Sequence, residues 1–278
     1  MFKVLHNSWP LFFGIGLIMV GNGLQGTLLG VRATMEGFDT ATIGLIMSLY
    51  YFGFLGGSYY VPKLMSRVGH IRVFAALASL ASGTVLLHGL YPDPFLWAII
   101  RAFTGFAYAG LYIVVESWFN NVSTSKTRGR IFGLYQLISY SGMVLGQFLL
   151  NFSDPAMIDL FVITSILVSI AIMPIALSSR PAPEFEEPDH LSLKRLFKIS
   201  PFGLIGVFIT GLGTGTLFGL GAVYATEIGM SIAQTSTFMA FFIVGGVVSQ
   251  IPIGWLSDHF DRRIVMIGTV LALSLIHI

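Results

Sequence analysis

The sequence predicts an all-α, polytopic membrane protein, and three observations carry this prediction. The chain of 278 residues is 55% hydrophobic and only 10% charged, whereas soluble domains are about 45–50% apolar and about 25% charged. Apolar runs long enough to cross a bilayer recur from end to end. A segment near the N-terminus also recurs 192 positions later. A soluble domain of this composition would lack the polar residues needed to cover its surface.

Nine apolar runs are predicted to form membrane-spanning helices. They lie at 9–31, 40–62, 71–91, 95–118, 130–151, 157–178, 200–224, 232–256 and 263–278. The first run follows Lys3, as a signal peptide would, but it is too long and lacks a small-x-small cleavage site. It is therefore expected to remain in the protein as the first span.

The basic residues predict the orientation of these spans, because Lys and Arg in short loops are retained in the cytoplasm. With the N-terminus inside, thirteen basic residues are cytoplasmic and only Arg32 falls outside. The loops at 63–72, 119–130 and 179–199 are then cytoplasmic, while the loop at 91–94 lies outside. We therefore expect a multi-pass protein with a cytoplasmic N-terminus.

An internal duplication explains the recurring segment. GVRATMEGF at 30–38 matches AVYATEIGM at 222–230, and the same offset gives thirteen identities over sixty ungapped positions. Parallel repeated halves are one known transporter architecture. The polar, Pro-broken stretch that follows the sixth run is typical of a linker. The predicted organisation is an N-terminal six-helix half at 1–179, a cytoplasmic linker at 180–199 and a C-terminal half at 200–278.

The duplication also predicts that the chain is truncated in its ninth helix. Spans seven to nine repeat spans one to three, so equivalents of spans four to six are expected to follow. The ninth run has only 16 residues, short of the roughly 20 needed to cross. The ending LSLIHI at 273–278 matches a frame translation of a transposon-end sequencing adapter. These residues are therefore either foreign to the protein or a natural Leu- and Ile-rich helix end. A chain without the last three helices is expected to be unstable or inactive.

Two loop segments resemble a signature of the major facilitator superfamily. GWLSDHFDRR, after span eight, is similar to the family's Gly-x-x-x-Asp-Arg/Lys-x-Gly-Arg-Arg loop. Its matching positions are Gly254, Asp258, Arg262 and Arg263. In the first copy, PKLMSRVGHIRV, Ser66 stands where the family has Asp, while Arg67, Gly69 and Arg72 fit.

Span four extends the resemblance. RAFTGFAYAG is similar to the family's Arg-x-x-x-Gly-x-Ala/Gly-x-Gly pattern through Arg101, Gly105 and Gly110. ESWFNNVSTSKTRGR places Glu116 at the end of span four and Arg128 at the start of span five. With GHIRVFAALAS and RGRIFGLYQ, these motifs look most like the YcaD-type branch of bacterial facilitators. The resemblance implies two pseudo-symmetric six-helix halves, with about nine helices present, in the bacterial inner membrane.

The charged and small residues of span four have two interpretations each. A central Arg costs about 2.5–3.5 kcal/mol in a bilayer, so Arg101 is expected to face an aqueous cavity or a carboxylate. Gly105 and Gly110 would let neighbouring helices slide closely past each other, or would simply allow tight packing. Glu116 is expected to latch the basic loops of Arg67 and Arg128, or else to be a solvated helix-end carboxylate.

Polar side chains within apolar runs are the candidates for a substrate cavity, although such residues also form hydrogen bonds between helices. They are Asn22, Gln25, Gln136, Tyr140, Gln147, Thr210 and Thr214. Gln147 stands where the antiporter subset of the family has Pro, which weakens the case for drug–proton antiport. No carboxylate lies mid-span in spans one, two, five, seven or eight.

These features favour a secondary transporter that moves a small solute by alternating access, with coupling to protons left open. The alternatives are a facilitated-diffusion permease or channel, and a non-transporting receptor or scaffold. An enzyme, a cofactor and a metal site are not predicted, because catalytic motifs are missing, cysteine is absent and the six histidines lie apart. The net charge of +2 is small and its bases are scattered, so nucleic-acid binding is not predicted. We expect a monomer in a lipid bilayer.

Overall fold

The computed structural model describes residues 2–177 and 192–275, and its regular elements in those ranges are helices. They are α1 (Phe2–Met35), α2 (Thr40–Val68), α3 (His70–Leu90), α4 (Pro94–Val122), α5 (Arg128–Leu149), α6 (Asp159–Ile170), α7 (Ile172–Ala176), α8 (Leu193–Ile199), α9 (Pro201–Glu227), α10 (Ile232–His259) and α11 (Arg262–Leu275). A short 3-10 turn at Leu150–Phe152 follows α5. The all-α prediction is therefore confirmed.

The nine predicted spans correspond to α1 to α5, the α6–α7 pair, and α9 to α11. Within the described ranges, seven of these helical stretches are long and apolar enough to cross a membrane. The two others are α5, whose polar residues include Gln136 and Gln147, and α11, which is described over 14 residues. Of the predicted linker at 180–199, only the end is described, and it contains α8. The last residues of the predicted adapter sequence, 276–278, also lie outside the described residues.

The chain divides into two compact units, Met1–Ala240 and Phe241–Ile278. The first contains α1 to α9 and the start of α10, and the second contains the rest of α10 and α11. The predicted boundary at 180–199 therefore stays a prediction, because the compact units separate elsewhere.

Turn residues at the helix ends explain where several helices begin. Asp39 precedes α2, and its carboxylate accepts hydrogen bonds from the hydroxyl and from the backbone N–H of Thr42. These two bonds, the hydroxyl's first, lower the pKa of Asp39. Asp93 caps α4 in the same way, and Pro94 occupies the first helical position, where a missing N–H costs nothing. The sixth span is interrupted at Ala171, because Pro174 cannot donate to the carbonyl of Ile170.

The repeated nine-residue segments fold in the same way. At the end of α1, Phe38 N–H donates to the Ala33 carbonyl and Gly37 has a φ of 76°. At the end of α9, Met230 donates to Ala225 and Gly229 has a φ of 82°. A left-handed residue at this point of a helix end favours glycine. The two segments of the duplication therefore encode the same helix cap.

Glycine residues bring two pairs of helices into close contact. The most extensive packing is that of α2 on α4, followed by that of α1 on α5. A Cβ atom on Gly57 of α2 would lie 2.6 Å from the Phe106 carbonyl oxygen of α4. One on Gly142 of α5 would lie 2.9 Å from the Gly16 oxygen of α1. Both pairs therefore pack backbone against backbone, as is common between membrane helices.

The loops on the two sides of the first unit differ in charge. We call the side that carries the loops 36–39, 91–93 and 153–158 the acidic-loop side, and the opposite side, with 63–72 and 123–130, the basic-loop side. Arg32 is on the acidic-loop side and is paired there with Glu36 at 2.6 Å. It also donates to the backbone carbonyls of Pro155 and Ala156. This exceptional base therefore joins two loops of that side.

Contacts between α9 and the N-terminal helices concentrate at the acidic-loop side. A Cβ atom on Gly30 of α1 would lie 3.2 Å from the Cβ of Ala222 in α9. Thr40 of α2 donates a hydrogen bond of 2.6 Å to Glu227 at the end of α9. Nearby, Asn151 of the 3-10 turn donates one of 2.8 Å to Ser236 at the start of α10. We call this set of contacts the acidic-side seam. The other half of α9, residues 201–214, is mostly exposed.

Candidate substrate cavity

A cavity of about 300 Å³ lies between the helices of the first unit, close to the acidic-side seam. Its walls come from α1, α2, α4, α5 and α9, with one residue from the start of α10. They are lined by Asn22, Gly23, Gly26, Thr27, Met47, Tyr50, Tyr51, Phe54, Arg101, Met143, Gln147, Thr214, Phe218, Gly219 and Met239. Apolar walls with a few polar groups are typical of a site for a small organic molecule.

Arg101 contributes the charge of this cavity. Its side chain is 8% exposed, and its guanidinium carbon lies 4.6 Å from the centre of the Tyr50 ring. This is a cation–π contact, in which the face of the aromatic ring attracts the positive charge of the guanidinium. Its Nε is buried without a hydrogen-bond partner among the described residues. None of the described residues that line the cavity carries a carboxylate. Arg101 therefore faces a cavity, which is one of its two predicted surroundings, and no carboxylate partner is observed there.

The neutral polar groups of the wall are already engaged by protein partners. Gln147 donates a hydrogen bond of 2.8 Å to the Gly23 carbonyl and accepts one of 2.6 Å from Thr27. Asn22 donates to the Tyr112 hydroxyl at 2.9 Å. Thr214 donates to the Thr210 carbonyl one turn earlier. These bonds fix the side chains that surround Arg101.

The structure brings only some of the predicted cavity residues together. Asn22, Gln147 and Thr214 line the cavity with Arg101. Four predicted residues do not line it, so their role in a substrate cavity stays a prediction. Gln25 is buried outside it, Gln136 and Thr210 are exposed, and Tyr140 is half-buried elsewhere on α5. Their helices are apolar on all sides, so a polar residue could face any neighbour.

An aromatic wall on α2 was missed by the sequence analysis. Tyr50, Tyr51 and Phe54 all line the cavity, and the rings of Tyr50 and Tyr51 meet edge to face at 5.4 Å. The signal was the aromatic cluster YYFGF at 50–54. This cluster alone does not predict a cavity wall, because aromatic residues are also ordinary apolar side chains in a membrane span.

Glu116 contacts a neighbouring helix rather than the basic loops. Its carboxylate accepts a hydrogen bond of 3.1 Å from the Tyr135 hydroxyl of α5. In the part of the chain that the structure describes, neither Arg67 nor Arg128 forms an ion pair with it. The predicted latch is therefore not formed in this conformation.

The two copies of the loop signature each place a turn between helices. Gly69 separates α2 from α3 with a φ of 82°, a conformation that favours glycine. Arg67 and Arg72 on either side of it are exposed. In the second unit, the Asp261 carboxylate accepts a hydrogen bond of 2.8 Å from the Arg263 backbone at the start of α11. Gly254, Arg262 and Arg263 are exposed there, and the side chain of Asp258 lies outside the described part.

Span four places its two signature glycines against other helices. A Cβ atom on Gly105 would overlap the Tyr50 carbonyl oxygen of α2, and one on Gly110 would lie 2.8 Å from Val61. Among the described residues, no group of His, Asp or Glu side chains could hold a metal ion.

Comparisons with known proteins agree with this architecture. A family model described as the Major Facilitator Superfamily matches residues 11–278. The uncharacterized MFS-type transporter YcaD of Escherichia fergusonii is 28% identical over 258 residues, which are 92% of this chain and 68% of that protein. An uncharacterized MFS-type transporter of Enterobacter sp. (strain 638) is 30% identical over 260 residues, again 92% of this chain and 68% of that protein.

Two solved structures share the fold. A crystal structure of a mutant of the nucleoside transporter NupG matches with a TM-score of 0.79 at 13% identity, over 95% of this chain and 71% of that chain. A bacterial homolog of the human lysosomal transporter Spinster, in an inward-facing and unoccupied conformation, matches with a TM-score of 0.72 at 17% identity, over 91% and 63%. The predicted resemblance to YcaD-type proteins is confirmed. Since the family model covers nearly all of the sequence, the chain belongs to the Major Facilitator Superfamily, a family of membrane transporters.

Proposed function

We propose that the protein is a secondary transporter that carries a small solute across the bacterial inner membrane by alternating access. In this proposal it acts as a monomer, with its N-terminus and its basic-loop side in the cytoplasm. The observation that carries the proposal is the cavity of about 300 Å³ next to the acidic-side seam. Alternating access requires such a cavity to open to one side of the membrane at a time, so opening it past the seam requires the contacts between these helices to separate.

The side-chain hydrogen bonds of the acidic-side seam are weak enough to break. Its two side-chain hydrogen bonds, Thr40 to Glu227 and Asn151 to Ser236, are worth about 0.5–1.5 kcal/mol each. Inverting a two-state equilibrium from 1:99 to 99:1 takes about 5.5 kcal/mol. The bonds therefore bias one conformation without locking it, and a bound solute can supply the difference.

A cross-link across this seam tests alternating access. The 278 residues contain no cysteine. In the protein expressed from its complete gene, with any cysteine outside these residues replaced by serine, Thr40→Cys and Glu227→Cys can be joined selectively by a short bifunctional maleimide. Cross-linking should abolish solute uptake into proteoliposomes. The matched control joins Glu36→Cys to Ala156→Cys, which lie beside Arg32 in two loops between N-terminal helices, and should leave uptake intact. Undiminished uptake with the 40–227 link in place would contradict alternating access.

Counterflow separates a carrier from a channel and from a non-transporting protein. A carrier loaded with unlabelled solute transiently accumulates the labelled solute, whereas a channel only equilibrates it, and a receptor or scaffold does neither. A facilitated-diffusion permease also shows counterflow, but unlike a secondary active transporter it does not accumulate solute when an ion gradient is applied. The same vesicles with and without a proton gradient test for proton coupling. NupG is a nucleoside transporter, but a likeness at 13% identity supports the fold alone. Uridine therefore enters the uptake panel as one solute among several.

A further inference from the structure

We propose that the transported solute is a small organic oxyanion, a carboxylate or a phosphate ester with an apolar body, whose head group binds Arg101. This inference rests on the proposed transport function. Among the described residues of the cavity wall, the charge of Arg101 has no counter-charge, and the proposed head group supplies one.

The charge of Arg101 is unbalanced within the described cavity. Arg101 is the one charged residue among the described residues that line it, and it is more than nine-tenths buried. Ionisable groups inside a membrane protein normally pair with an opposite charge or face a solute pathway. The Tyr50 ring 4.6 Å away attracts the cation but offers its N–H groups no oxygen acceptor. The missing counter-charge is therefore an anion that enters the cavity.

The hydrogen-bonding groups around Arg101 strengthen this assignment. Gln147 and Asn22 already use their amide groups on Gly23, Thr27 and Tyr112. The guanidinium makes no hydrogen bond to a described residue, and its Nε is buried without a partner. Its planar fork of donors matches the two oxygens of a carboxylate or phosphate group. The solute that satisfies this wall thus carries an oxyanion.

The remaining walls define the other part of the solute. Apart from the groups already bonded, the lining consists mainly of aromatic rings and methionines, such as Phe54, Met143 and Phe218. Aromatic and thioether side chains pack against apolar or ring-shaped molecules. The volume of about 300 Å³ is at the lower end of the range for ligand sites. The body of the solute is accordingly small and apolar.

Matched probes test the charge requirement in the unmodified protein. Benzoate and phenyl phosphate carry the anionic heads, while benzamide, benzylamine and uridine are neutral or cationic. Each is added to the detergent-purified protein from the complete gene, beside the anionic, neutral and cationic fractions of a cell extract separated by ion exchange. Because a ligand of the folded state raises the apparent melting temperature, we expect a shift with the anionic fraction and with at least one anionic probe. The preferred probe distinguishes carboxylate from phosphate recognition.

The outcomes separate the two proposals. Stabilisation by the neutral or cationic fraction alone, with uptake of a neutral or cationic solute, would overturn the oxyanion and leave the transport function standing. No stabilisation by any fraction and no uptake of any probe would count against both.

Variants at Arg101 connect the response to this residue. Arg101→Gln keeps amide donors but removes the charge, and should weaken binding of the effective anion roughly tenfold to a hundredfold. Arg101→Lys keeps the charge without the fork and should retain part of the affinity. Arg101→Gln should fold, because neutralising a buried charge that has no counter-charge removes a desolvation cost that outweighs the lost contact with the Tyr50 ring. Arg101→Lys should fold because it keeps a cation beside that ring. Lys194→Gln, in α8, is the matched control. Equal anion affinity in the wild type and Arg101→Gln would refute the assignment.

Discussion

A single methyl group on Gly105 should separate the two most closely packed helices of the protein. A Cβ atom at this position would overlap the Tyr50 carbonyl oxygen and would lie 3.0 Å from the Phe54 nitrogen, both of α2. These are backbone atoms within a helix, so they cannot rotate away as a side chain would. Gly53 of α2 faces the Ala102 carbonyl of α4 in the reciprocal arrangement. The strain of Gly105→Ala therefore falls on the whole contact between α2 and α4.

The cost can be estimated from the geometry. Relieving the overlap requires the helices to separate by roughly an ångström, and a gap of about 0.5–1 Å already forfeits a quarter to a half of each dispersion contact. Overpacking substitutions typically cost about 1–3 kcal/mol. The rigid backbone neighbour places Gly105→Ala at the upper end, about 3 kcal/mol. Gly83 of α3 is exposed, and no atom lies within 4 Å of the position that a Cβ atom would occupy there. Gly83→Ala should therefore raise the unfolding free energy by about 0.5–1 kcal/mol through its higher helix propensity.

The pair can be compared by heating both variants in the same detergent and measuring the monodisperse fraction by size-exclusion chromatography. Gly105→Ala should lower the apparent melting temperature, and Gly83→Ala should leave it unchanged or raise it. The substitution is chemically identical at both sites, so side-chain entropy and detergent effects cancel. Equal melting temperatures for the two variants would refute the argument that α2 and α4 pack backbone to backbone at Gly105.

Three further predictions follow from the charge pattern and from the hydrogen bonds between helices. In this cysteine-free chain, an impermeant thiol reagent applied to whole cells should label a cysteine at Asp93 but not one at Lys126, and the opposite pattern would reverse the topology. Glu116→Ala and Tyr135→Phe each remove the same hydrogen bond, so a double-mutant cycle of unfolding free energies should show a coupling of about 0.5–1.5 kcal/mol, whereas additivity would mean that the bond contributes nothing. Gln147→Leu leaves two buried polar groups of α1 without their partner and should lower the unfolding free energy by about 1–3 kcal/mol; an unchanged value would mean that water replaces the amide.

The helical architecture was largely predictable because its determinants are local. Apolar length, the Asp93–Pro94 helix start and the glycines at 37 and 229 each act within one turn of chain. The cavity depends instead on which face of a helix meets which neighbour. In a span that is apolar all round, periodicity does not indicate that face. Gln147 and Gln136 therefore looked alike in the sequence, although one is buried in the cavity wall and the other is exposed.

The spacing of Arg101 and Gly105 has a single physical explanation. Residues four apart lie on the same face of a helix, so Arg101 and Gly105 both lie on the face of α4 that packs against α2. The missing side chain of Gly105 allows the Tyr50 backbone to approach α4 closely, and the Tyr50 ring then lies over the Arg101 guanidinium one turn away. A larger residue in place of the glycine would move that ring from the cation. The arginine and the glycine of this pattern thus form one feature, in which close backbone packing supplies the aromatic face that holds a buried charge at the cavity wall.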